Sequence, residues 1–137
     1  MTNTNEYGSL MVDRYRLDTM PHAQCHVCIC RDKYGCVHEI DLISYETLVC
    51  VLTRDIGNMF NLWCTGTYSP TTRRHINRFT TEFCGQNYYP ECRDAIGKNL
   101  YDADYGYFVT DIPCFAIEAQ ADHYKECCKP YYGFGNY

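Results

Sequence analysis

Residues 24 to 64 read QCHVCICRDKYGCVHEIDLISYETLVCVLTRDIGNMFNLWC, and this stretch decides the fold. Gln24 to Leu42 holds two alternating runs separated by Asp32-Lys33-Tyr34-Gly35. Period-two alternation about such a turn predicts a β-hairpin, because successive strand side chains point to opposite faces. With Arg31 opposite Cys36, one face carries Cys25, Val27, Ile29, Cys36, His38 and Ile40, the expected core side. The other carries His26, Cys28, Cys30, Val37 and Glu39. Thr47 to Thr53 and Met59 to Cys64 form a second β-prone pair around Arg54-Asp55-Ile56-Gly57-Asn58, whose Gly-Asn suits a tight turn. Four strands in sequence order predict a meander, the topology with the shortest connections.

On the C-terminal side, Ser69-Pro70 opens a helix: the serine caps free backbone N–H groups, and proline suits the first helical position, where no amide hydrogen is needed. The helix is predicted to run over 69–84 and stop at Gly85. Thr72, Ile76, Phe79 and Phe83 make its apolar stripe, with Arg74, Asn77, Arg78 and Thr81 opposite. A short helix from Tyr89-Pro90-Glu91 to Ile96 and an extended segment from Tyr105 to Val109 follow. Ile117, Ala121, Tyr124 and Cys128 then share one face of a helix within Pro113 to Lys129. The expected fold is α+β: an antiparallel sheet of about four to five strands packed by one amphipathic helix (69–84), with a C-terminal helix. No repeat or linker divides residues 1–137, which read as a single domain.

A length of 137 residues suffices to bury a core without staples. The net charge of −5, from 17 acidic against 12 basic side chains, repels phosphate backbones and anionic lipid alike. The start MTNTNEYGSLMVDRY is polar where a secretory signal is apolar, and no run reaches the roughly 18 apolar residues of a membrane span. These features predict a cytoplasmic protein with no membrane partner. Its 11 cysteines are therefore expected to be reduced, buried small hydrophobes. Tyrosine is abundant at 14, and Tyr131, Tyr132 and Phe134 in the tail are candidates for a partner interface.

Three constellations could carry chemistry. Within Cys25 to His38, His26, Cys28 and Cys30 could ligate zinc with a fourth ligand from His22 or Glu39, against the alternative of plain packing. Arg73, Arg74 and Arg78 are the concentrated basic feature and could grip phosphate or an acidic protein surface; the alternative is a solvated face with Arg78 paired to Glu82 at i, i+4. His75 lies at the edge of the helix stripe, where a packed histidine is the commoner outcome than a general base. Asp102 and Asp104 read as a solvated turn, and no phosphate-binding glycine loop is present. No catalytic residue is assigned.

Ser44-Tyr45-Glu46-Thr47 and Tyr68-Ser69-Pro70-Thr71-Thr72-Arg73-Arg74-His75-Ile76 resemble a pattern, S-Y-x-T followed by Y-S-x-T-T-x-x-H, of small uncharacterised proteins of phages and mobile elements. In that pattern a strand pairs with a helix, which makes Ser69 a cap, Tyr45 a strand anchor and Thr72, Ile76 and Phe79 a packed face. The resemblance implies a non-enzymatic accessory protein, anti-CRISPR-like, that binds and inhibits a host protein such as a defence nuclease. The other two expectations are a nucleic-acid-binding accessory protein using the Arg73, Arg74 and Arg78 face, and a zinc- or cysteine-dependent protein.

Overall fold

The computed structural model describes residues 11–55, 58–64, 69–85 and 107–131. Strands β1 (Met11–Arg16), β2 (Cys25–Arg31), β3 (Val37–Ser44), β4 (Thr47–Arg54) and β5 (Met59–Cys64) precede helix α1 (Pro70–Cys84), strand β6 (Tyr107–Pro113) and helix α2 (Cys114–Cys127). The six strands form one antiparallel sheet in sequence order, so the α+β meander stands, with more strands than four to five. The addition is β1, whose six residues bury only Tyr15. An edge strand with one inward residue shows no alternation to detect. The predicted short helix around residues 89–96 lies outside the described residues.

The β2–β3 turn is built as its residues suggest: Gly35 takes a φ of 88°, and the Asp32 carboxylate accepts from the Tyr34 and Cys36 backbone N–H groups. The register differs from the expectation. Arg31 pairs with Val37 through an irregularity at Cys30/Arg31, which turns Val37 into the core and leaves Cys36 exposed. One extra residue in a strand switches the facing of everything beyond it. Tyr45 is likewise not a strand anchor but the β3–β4 turn residue, at φ 59° and half exposed.

The helix at residues 70–84 forms as read. Ser69 accepts from the Thr72 N–H, Pro70 opens the first turn, and Gly85 ends it at φ 78°, its N–H bonded to the Thr81 carbonyl. Thr72, His75, Ile76, Phe79, Thr80 and Phe83 are buried against the sheet. Beside α1, α2 buries Ile117, Ala121 and Tyr124, and the Tyr124 ring stacks 5.3 Å from Phe83. Both helices thus cover one face, formed by Val27, Ile29, Ile40, Leu42, Leu52, Phe60 and Leu62. Arg31 to Asp122 and Arg54 to Glu118 tie α2 to the strand ends. Among the described residues no helix is long and apolar enough to cross a membrane.

Candidate functional site

Of the sequence pattern, Ser44, Thr72 and His75 form a buried polar network, which the exposed cap residue Ser69 extends. Ser44 Oγ lies 2.8 Å from His75 Nδ1 and 2.9 Å from Thr72 Oγ1, with Ser69 Oγ 3.3 Å beyond. Ser44 and His75 are 2% and 1% exposed, so this serine–histidine pair has no route to a substrate. Burial, then the charge of Arg74, lowers the His75 pKa and keeps the ring neutral. A neutral, satisfied, enclosed network holds β3 to α1; it is a fold determinant.

A second polar hub joins three distant segments. Glu82 of α1 accepts from the Thr19 N–H at 3.0 Å, the Thr19 hydroxyl at 2.5 Å, the Gln120 amide at 3.3 Å and the Tyr124 hydroxyl. The Asp18 N–H donates to the same Tyr124 oxygen at 2.8 Å. This arrangement places the Asp18 carboxylate beside the end of α2, where Oδ2 meets His123 Nε2 at 2.9 Å and Oδ1 accepts from Cys128 Sγ at 3.5 Å. Asp18 and Cys128 border a cleft of about 430 Å³ whose walls include Arg16, His22, Cys127 and Lys129. Burial, then the Asp18 charge, pushes the Cys128 thiol up to about 12. Bonded to a carboxylate rather than to the imidazole, it stays protonated and lacks the activation of a cysteine nucleophile.

Glu82 also governs the arginine face. With its carboxylate turned inward, the expected Arg78–Glu82 pair does not form, and among the described residues neither Arg74 nor Arg78 makes an ion pair. Both line a second cleft of about 480 Å³ with Asn77, Thr81, Thr19 and Met20. Asn77 Oδ1 there has no hydrogen-bond partner among the described residues. Arg73 does not line this cleft, so the predicted basic triplet is split.

The predicted zinc residues do not come together. His26, Cys28 and Cys30 alternate along β2 on the face away from the helices, opposite Arg16, Arg14 and Val12 of β1. Strand geometry sets their Cα atoms roughly 6.7 Å apart in a row, and among the described residues their ligand atoms do not gather at one point. His26 is buried with its ring 5.0 Å from Tyr131, and Arg16 lies over the same tyrosine at 4.5 Å. Tyr131 is thereby used inside the molecule, its N–H donating to the Arg14 carbonyl at 2.6 Å. Tyr132 and Phe134 lie outside the described residues. Asp18, His123 and Cys128, missed in the sequence reading, are the group of three potential metal ligands found among the described residues. Asp18 and Cys128 are 110 positions apart, so no spacing motif could have signalled them.

Beside Cys28 and Cys30, Glu39 and Asp41 of β3 occupy the same outer face. Burial first, then the hydrogen bond and charge of Glu39, pushes the Asp41 carboxyl up to about 8. Its Oδ1 has no hydrogen-bond partner among the described residues.

No curated protein and no solved structure matches the chain. A family model described as a family of unknown function does match, over residues 6–98, which spans β1 to β5 and α1 and leaves β6 and α2 outside. Since that match covers more than half of the 137 residues, the chain belongs to the family of unknown function DUF8033.

Proposed function

We propose that this chain is a non-enzymatic binding protein that engages a carboxylate- or phosphate-bearing group on a partner protein through the Arg74/Arg78 cleft. The observation that carries the reading is the diversion of Glu82: its carboxylate serves Thr19, Gln120 and Tyr124, and two guanidinium groups are left uncompensated on one recess. Guanidinium groups bind such anions through paired N–H donors, and their charge raises the rate of encounter with an acidic surface. The buried state of His75 argues against general-base chemistry. With the resemblance to phage and mobile-element chains, the partner class named first is a host protein, a CRISPR or other defence nuclease among them, which the bound chain inhibits.

A second reading, direct nucleic-acid binding by the same face, has the arginines in its favour and the charge against it. Each phosphate contact contributes a salt slope of about 0.9, so two arginines on a chain of net charge −5 make a weak duplex binder. Affinity capture from a nuclease-treated host lysate separates the two. The proposal expects a defined protein that binds wild type and is released by Arg74→Glu/Arg78→Glu. Capture that vanishes with nuclease favours the second reading, and capture indifferent to the double substitution removes the cleft from both.

A further inference from the structure

The cleft lined by Asp18 and Cys128 carries a second chemistry, independent of the arginine face. Asp18, His123 and Cys128 each offer one ligand atom, and the three atoms lie within 4.8 Å of one another. Zinc bonds of about 2.0–2.3 Å put tetrahedral ligand atoms roughly 3.3–3.8 Å apart. The thiol lies 3.5 Å from Asp18 Oδ1, within that range, and the imidazole lies 2.9 Å from Oδ2, just below it. Small rotations of these side chains admit the ion.

The donor set selects the metal. One sulfur, one imidazole nitrogen and one carboxylate oxygen suit a borderline-soft cation and exclude the all-oxygen preference of magnesium and calcium. The ligands are also held from behind, as metal sites require. The Asp18 N–H is fixed by the Tyr124 hydroxyl, His123 packs its ring edge-on to Tyr124 at 6.1 Å, and the Cys128 N–H is bonded to the Tyr124 carbonyl at 3.1 Å. One buried tyrosine thus positions all three. His22, Cys127, Arg16 and Lys129 also line the cleft.

We propose that Asp18, His123 and Cys128 form a zinc site with one coordination position facing the cleft. On binding, the Cys128 S–H bond breaks, the sulfur forms the zinc–thiolate bond, and the proton leaves to solvent; no electron is transferred. His123 enters as neutral imidazole and Asp18 as carboxylate, so their two negative charges, thiolate and carboxylate, balance the dication.

The full-length protein is stripped with chelator and titrated with zinc by calorimetry and with cobalt by absorbance, which reports thiolate ligation as a charge-transfer band. Wild type is expected to take up one metal per chain and to show the band. Cys128→Ser abolishes the band, and His123→Gln weakens zinc binding by about 100-fold or more. Cys28→Ser and Cys30→Ser, controls on the opposite side of the sheet, leave both signals unchanged. Circular dichroism confirms folding, and His123→Gln decides the matter if Cys128→Ser does not fold. Sub-stoichiometric zinc in wild type, or a band that survives Cys128→Ser and disappears in the β2 variants, overturns the proposal.

Discussion

The two faces of strand β3 treat polar side chains in opposite ways. On the face toward the helices, Ser44 meets Thr72 and His75 of α1, and every member of the group is enclosed and uncharged or held neutral. On the other face, Asp41 sits beside Glu39, keeps an oxygen without a partner among the described residues and holds its proton far above the ordinary carboxylate range. Burial alone does not distinguish them, since both environments desolvate. What differs is whether another element delivers complementary hydrogen-bonding atoms: α1 supplies a hydroxyl and an imidazole to Ser44, while Asp41 receives only a second carboxyl. Ser44 on the helix-covered face therefore stabilises the fold, and Asp41 on the outer face costs it stability.

Tyr124→Ala probes the covered face most severely. The ring is fully buried against Phe83 and Tyr15, and its hydroxyl holds Asp18 and Glu82, so truncation is expected to cost about 3–5 kcal/mol in urea denaturation. A loss below about 1 kcal/mol would show that α2 does not belong to the core and that the covered face ends at α1. Next, Ser44→Ala leaves His75 and Thr72 without their shared partner and should cost about 1–3 kcal/mol, read the same way. Were it neutral, the contrast between the faces would collapse.

Asp41→Asn tests the outer face through pH. The unfolded carboxyl releases its proton near 3.8 and the folded one near 8, so the folded chain binds more protons between these values and wild type loses stability as pH rises through that window. The asparagine variant lacks this loss. Its melting temperature should exceed that of wild type by a few degrees above about pH 8, with the gap narrowing toward pH 4. A gap that is constant with pH would mean the carboxyl titrates normally and the outer face is no liability. The smallest effect is expected for Cys30→Ser, a partly exposed thiol on the same face: a change within about 0.5 kcal/mol. A larger loss would reveal packing on that face that the comparison assigns only to the covered one.

Much of the architecture was legible in the chain. The turn at Asp32 to Gly35, the cap at Ser69-Pro70, the stop at Gly85 and the face of α1 are local signals, and each appears where its residues place it; on α2, Ile117, Ala121 and Tyr124 are buried as expected, while Cys128 lies past the helix end in extended backbone. Strand β1 was not legible, because one buried residue in six leaves no periodicity. The Arg31–Val37 pairing was not either, since a local irregularity reverses the alternation on which the facing of Val37 was judged.

The candidate sites divide along the same line. Arg74 and Arg78 were visible as a basic helix face, but that they remain uncompensated depends on Glu82 turning to Thr19, some 63 positions earlier in the chain. His26, Cys28 and Cys30 looked like a ligand set because they are close in sequence, yet strand geometry spreads them along one face. Asp18, His123 and Cys128 are remote in sequence and meet only because Tyr124 docks the end of α2 on the β1–β2 connection. The sequence by itself determined strands β2 to β5, the two helices, the Ser69 cap and the apolar stripe of α1, since hydrophobic period and turn chemistry act over a few residues. Only the tertiary structure decided which polar side chains meet, because hydrogen bonding and metal ligation require convergence within a few ångströms, which packing of distant elements alone provides.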